Sequence, residues 1–259
     1  MRWKLLFFIF VFIFFLTPFF IEEKFFFISE TRSRTKENQI NQEKEEALEE
    51  KRKIISSNDT LPELPVNKNI LLDVPFVVQA PFGEWSEPRF QDGCEEASIL
   101  MAMLWIEEKT LSQKEVKDEL LKISVFGEKK FGFFEDTSAT ETTLFMKDFY
   151  GYKNIEPRYE VTVDAIKDEL QKGNLVLVPV QGQRLKNLYY TLPGPERHML
   201  VIRGYDETKK EFITNDPGTR HGEAYQYPYT ILLAAILDYP SGKHKPILLE
   251  KKAMIVVKK

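Results

Sequence analysis

The chain has 259 residues, with 36 Lys plus Arg against 40 Asp plus Glu and a net charge of −4. That length suits one or two domains, and the charge balance lacks the basic footprint of a nucleic-acid-binding protein. One cysteine and three histidines exclude an internal disulfide and a Cys-rich zinc site, and neither a multi-His metal site nor an organic cofactor is expected.

Residues 5–21 read LLFFIFVFIFFLTPFFI, with Arg2 and Lys4 before the run and Glu22 and Glu23 after it. Residues 1–30 hold 11 of the 21 phenylalanines, so the high aromatic content belongs to this leader. As a helix the run spans roughly 25 Å, close to the ~30 Å hydrocarbon core of a bilayer. The positive flank predicts a cytoplasmic N-terminus with the remainder exported. Residues 19–30 offer no small-x-small triplet for signal cleavage. The expectation is therefore an uncleaved anchor over residues 1–28, with secretion after cleavage as the alternative. Residues 29–67 read as a charged stalk. Residues 31–60 carry seven charges of each sign and no aromatic, which is too little apolar surface to fold alone. Glu49 and Lys53 form an i,i+4 pair that suits a solvated helix.

Residues 68–259 read as one globular domain. Leu71–Val78 is a β-rich run entering Gln79. Asp92–Glu107 is a helix apolar nearly all round, and therefore central. Ser112 with Glu115 predicts a capped helix through Leu121, and Ser138 with Glu141 another through Phe149, with Gly151 to stop it. Val163–Lys172 is a third amphipathic helix, ended by Gly173. The period then changes. Leu175–Val180, His198–Tyr205 and Glu211–Thr214 read as strands, the last two joined by a polar turn. Tyr229–Leu237 returns to helix, and Ala253–Val257 is a last strand. Helices first and strands afterwards indicate an α+β fold with an antiparallel sheet.

Cys94 opens the central helix, where unpaired N–H groups and the helix dipole favour a thiolate. A lone cysteine is also commonly a small buried hydrophobe, and position alone does not separate the two. A nucleophile needs a base. His244 lies in a polar turn and reads as surface. His221 lies in a loop able to line a cleft. His198 opens a strand, where a side chain is rigidly aimed. Asp216 ends the neighbouring strand of the hairpin and can orient His198, whereas Asn215 should face the other way. Gln79, 15 positions before the cysteine, has an amide able to donate to an oxyanion beside the Cys94 backbone N–H. Gln91 ranks second for that part. Gly93 leaves room for a substrate chain.

Four blocks in order carry a resemblance: Leu72–Gln79, Gly93-Cys94-Glu95-Glu96-Ala97-Ser98, His198–Asp206 and Asn215-Asp216-Pro217-Gly218-Thr219. Together they resemble the peptidase C39-like family of papain-like cysteine peptidase domains, over roughly Leu71–Tyr239. The resemblance implies a helical half carrying the cysteine and an antiparallel sheet carrying the histidine and aspartate. It implies Cys94 as nucleophile, His198 as base, Asp216 as orienter and Gln79 as oxyanion donor. The relatives that process bacteriocin leaders have their glutamine a few residues before the cysteine. Here Gln79 is further away, and the stretch 82–90 with Trp85 fills the gap as a cleft wall. No G-x-x-x-x-G-K-[ST] signature is present, so a double-glycine leader substrate does not follow.

The expected function is a membrane-anchored, extracytoplasmic cysteine peptidase or related thiol amide hydrolase acting on a peptide or peptide-like amide. The alternative from another class is a non-catalytic peptide- or cell-wall-binding pseudoenzyme that keeps the cleft. The oligomeric state is open.

Overall fold

In the computed structural model, residues 69–259 are described, together with Gln42, residues 44–46 and Glu49, which are helical and exposed. The described domain is one compact unit, Asn67–Lys259. The expected anchor, residues 1–28, and most of the stalk lie outside the described residues. Among the described residues no helix is long and apolar enough to cross a membrane.

The domain is α+β. Its strands are β1 (Asn69–Leu71), β2 (Ile155–Arg158), β3 (Leu175–Val180), β4 (His198–Asp206), β5 (Glu211–Asn215), β6 (Tyr225–Pro228) and β7 (Met254–Val257). They form a sheet in the order β2-β7-β3-β4-β5-β6, with every pair antiparallel. The helices are α1 (Pro88–Gln91), α2 (Cys94–Glu107), α3 (Gln113–Phe131), α4 (Ala139–Phe149), α5 (Val163–Gln171), α6 (Gly182–Leu185) and α7 (Tyr229–Ala235).

Strand periodicity explains why the sheet is covered on both faces. Leu175 and Leu177 of β3, Met199 and Val201 of β4, and Ile255 and Val257 of β7 join one core with α2, α3 and α4. The alternate residues Val176, Val178, Leu200, Ile202, Met254 and Val256 join a second core with α5 and α7. That double coverage is why LVLVPV is buried at all six positions and shows no polar alternation. Helix α2 packs on β4 and is buried from Cys94 to Trp105. This packing brings the start of α2 to the start of β4.

Strand β4 is long enough to serve two partners on one edge. Its first half pairs with β3, and Gly204–Asp206 pair with β1. Gly204 is required there, because a Cβ would lie 2.2 Å from the Ile70 carbonyl oxygen. Next to it the β4–β5 register shifts between Ile202 and Gly204. A bulge of this kind re-aims a side chain. Arg203 donates through Nε to the Leu72 carbonyl at 2.9 Å, and the Leu72 N–H donates back to the Arg203 carbonyl at 2.7 Å.

Several predicted elements differ in extent. The strand expected over Leu71–Val78 stops at Leu71. Beyond it the chain contains Pro75, which has no N–H for a ladder, and side chains hold it instead: Arg203 at Leu72, and Asn215 Nδ2 at the Val74 carbonyl, 3.1 Å. Helix α3 runs ten residues past Leu121, to Gly132 at φ +81°. Inside it, a Cβ at Gly127 would lie 2.5 Å from the Phe145 ring. The glycine serves helix packing. Tyr225–Pro228 is a strand not expected from the sequence, and the last helix starts at Tyr229 as expected but ends at Ala235, short of Leu237.

Candidate active site

His198 is the first residue of β4, opposite Val180 of β3. Asp216 follows the last residue of β5. The chain leaves the ladder there, because Pro217 cannot donate and the Asp216 N–H turns to the Gly222 carbonyl at 3.0 Å. Gly222 fits that turn, since a Cβ would lie 1.8 Å from the Asp216 carbonyl oxygen. The turn brings the Asp216 carboxylate to His198 Nε2, at 2.8 Å from Oδ1. Both side chains are buried.

Asp216 is held by five donors. Oδ1 also accepts the Gly218 N–H at 3.0 Å. Oδ2 accepts from Tyr190 Oη at 2.6 Å, Tyr227 Oη at 2.7 Å and Asn187 Nδ2 at 3.2 Å. Burial pushes the carboxyl up, but the charge and hydrogen bond of His198 and the tyrosine donors outweigh it. The net position is below the ordinary aspartate value. An ionised carboxylate only accepts, so Nε2 of His198 carries its proton toward Asp216 and Nδ1 is left for proton exchange. Asn215 faces away, toward Val74 and Pro75. Sequence reasoning did not single out Asn187, Tyr190 or Tyr227, which come from a loop and a strand with no local signature.

Cys94 is the first residue of α2 and is buried. The backbone N–H of Met199, the residue after His198, acts on its sulfur in favour of the thiolate. The thiol itself donates to Glu95 Oε2 at 3.0 Å. Position at a helix N-terminus predicts a thiolate. In this site burial, then the charge of Glu95 and its hydrogen bond, push the thiol well above its ordinary value, against the Met199 N–H. Gly93 does not make room for substrate: a Cβ would lie 2.6 Å from the Arg89 carbonyl oxygen, so the glycine lets the α1 turn abut α2.

Gln79 is placed by its own N–H, which donates to the Pro217 carbonyl at 3.1 Å, in the loop after Asp216. Its side-chain Nε2 donates to the Phe90 and Gln91 carbonyls at 3.0 and 2.7 Å. Both amide protons are thus engaged by the turn before Cys94, and Oε1 is buried without a partner. Gln91 takes part through its carbonyl, as an acceptor.

Gln79, Cys94 and His198 line one cavity of about 770 Å³. Trp85 lines it, as the stretch 82–90 was expected to do, and so do His221 and Tyr189, whose rings stack at 4.4 Å. Glu95, Asp92 and Asp136 add carboxyl groups to the lining. His244 is exposed in its turn, as expected, and also reaches the cleft, with Nδ1 3.0 Å from Asp136 Oδ2. Among the described residues no group of three or more His, Cys, Asp or Glu could hold a metal ion.

The sequence matches the Peptidase C39 like family over residues 71–239, well over half of the chain. The chain belongs to that family. Among solved structures it is similar to a candidate C39-like peptidase from Bacillus anthracis, at 14% identity and a TM-score of 0.45. That match covers 74% of this chain and 99% of the other. No curated protein matches the sequence. The family block of sequence contains all four residues of the expected site, from Gln79 to Asp216.

Proposed function

We propose that this C39-like domain is a cysteine peptidase, or a closely related thiol amide hydrolase, with a papain-like division of labour. Cys94 is the nucleophile, His198 the base, Asp216 the orienter and Gln79 the oxyanion donor. The observation that carries the reading is the buried 2.8 Å pair of His198 and Asp216, whose histidine lines the same cavity as Cys94.

Nδ1 of His198 takes the thiol proton. The sulfur attacks the amide carbonyl and a C–S bond forms. The oxygen that gains negative charge is met by the backbone N–H of Cys94, which has no acceptor within its own helix, and by Gln79 once it exchanges a loop carbonyl for the oxyanion. Collapse breaks the C–N bond, and Nδ1 returns its proton to the leaving amine. Water then hydrolyses the thioester with the same histidine as base. Asp216 keeps the imidazole in the tautomer that makes Nδ1 available.

The substrate in this reading is a peptide or peptide-like amide lying in the cleft. The apolar segment 5–21 and the charged segment 31–60 support a domain held outside the cytoplasm on a membrane anchor. Replacing Cys94 by Ala should abolish cleavage of quenched-fluorescent peptides while circular dichroism and thermal unfolding stay unchanged. Turnover by that variant would sink the proposal. One observation favours the second reading, a cleft that binds without cleaving: burial, and then the charge and hydrogen bond of Glu95, favour the protonated thiol.

A further inference from the structure

Glu95 occupies a position that the catalytic scheme does not use. It follows the nucleophile on α2 and is 2% exposed. Its Oε2 accepts the Cys94 S–H at 3.0 Å, and its Oε1 accepts the Tyr239 hydroxyl at 2.9 Å and the Thr137 N–H at 3.1 Å. Three donors from three separate chain segments converge on one carboxyl group. That arrangement requires an acceptor, which an ionised carboxylate is and a protonated one is only in part. Its neighbour Glu96 is equally buried, and among the described residues neither of its oxygens has a hydrogen-bond partner. Burial, then the charge of Glu95, push Glu96 well above the ordinary glutamate value. Burial raises Glu95 as well, against its hydrogen bonds from Cys94 and Tyr239, so of this adjacent pair it is Glu95 whose oxygens are supplied with donors for a charge.

We propose that Glu95 sets the protonation state of the nucleophile, holding Cys94 as a thiol in the resting site. It does so by accepting the S–H bond that His198 would otherwise draw toward Nδ1. The inference rests on the peptidase reading for its functional meaning, but its physical content concerns the Cys94 proton alone. The other groups that face this carboxylate have fixed roles in the balance. Tyr239 donates to it from beyond α7, Glu96 stands beside it on α2, and Asp136 faces it from the loop before α4. Asp136 is itself countered by Arg197 at 3.7 Å and His244 at 3.0 Å. Among the described residues no cation is hydrogen-bonded to Glu95, so only its three donors temper the charge it turns on the sulfur. A thiol beside an unneutralised buried carboxylate ionises later than an ordinary one.

Glu95→Gln is the discriminating variant. The amide oxygen keeps the Tyr239 and Thr137 bonds, and an NH2 group replaces the acceptor facing the sulfur. A proton acceptor becomes a donor to thiolate with no change in side-chain size. The measurement is the pH dependence of Cys94 alkylation by iodoacetamide in the full chain, with Cys94→Ala as blank. In the wild type the alkylation midpoint should lie above that of the same chain unfolded in urea. In Glu95→Gln it should fall by at least about one pH unit, which is about tenfold more thiolate at a pH below both midpoints. The net rate gain is about threefold per unit, because nucleophilicity drops with basicity.

A wild-type midpoint below neutrality overturns the proposal without reference to any variant, as does a Glu95→Gln midpoint equal to the wild type. Peptide turnover on the same samples separates the two ideas. Turnover with a midpoint indifferent to Glu95→Gln keeps the peptidase and removes the role of Glu95. A Glu95-dependent midpoint with no turnover by either protein keeps the role of Glu95 and removes the peptidase.

Discussion

Tyr227→Phe tests the cradle around Asp216 with the least disturbance. The ring of Tyr227 is 2% exposed and packs 4.7 Å from Tyr225, so phenylalanine fills the same space and only a hydroxyl is lost. That hydroxyl donates to Asp216 Oδ2 at 2.7 Å and accepts from Asn187 Nδ2 at 2.7 Å. A hydrogen bond to a charged group contributes about 1.5–3 kcal/mol. Asp216 keeps four donors, and Asn187 still reaches its carboxylate at 3.2 Å, so the loss should stay within that range. With a urea dependence of about 2 kcal/mol per molar, the unfolding midpoint at pH 7 should fall by about 1 M at unchanged slope. The pH dependence follows from the sign of the Asp216 shift. Its folded carboxyl lies below the ordinary 3.8, so the stabilisation is complete above that value and lost as pH falls through the folded one. Removing a donor to the ionised form raises the folded value. The gap between the two proteins should therefore be widest near neutrality and narrow in acid. Equal midpoints at pH 7, or a gap that does not change with pH, would refute the account of Asp216 as an ionised carboxylate held by donors.

Two glycines give further tests. In Gly218→Ala the new Cβ lies 2.9 Å from His198 Cε1 and 3.2 Å from Nε2, so the imidazole must shift. Peptide turnover should drop at least about tenfold, as misplacement of a catalytic group allows, while thermal unfolding changes little; unchanged turnover would mean the aim of His198 is not limiting. In Gly204→Ala the Cβ meets the Ile70 backbone carbonyl at 2.2 Å, and the overpacking should cost about 1–3 kcal/mol. Amide exchange should localise the damage to β1 and to the Leu72 N–H, which donates to the Arg203 carbonyl, and uniform loss of protection across the sheet would contradict that assignment.

Local chemistry made much of the fold legible in the sequence. Ser112 with Glu115 forms the complete capping box that their spacing predicts, and Gly173 at φ +79° lies just past α5. The pairing of His198 with Asp216 was also legible, because a hairpin places strand ends within reach of one another and period-two alternation separates Asp216 from Asn215. The extent of α3 was not, since its internal glycine has a reason only in the Phe145 ring from α4. Nor was the short reach of β1, which depends on the bulge at Arg203.

The candidate site divides along the same line. The identities of Cys94, His198, Asp216 and Gln79 follow from residue type, motif order and strand register, all properties of one or two neighbouring segments. The protonation state of the sulfur does not. It depends on burial first, and then on Glu95, whose other donors Tyr239 and Thr137 lie 144 and 42 positions away. The charge on Asp216 likewise depends on Tyr190, Tyr227 and Asn187. Burial and hydrogen-bond partners set a proton's affinity, and both are supplied by residues far apart in the chain. Sequence therefore named the chemical groups, and the tertiary structure decided which of them hold a proton.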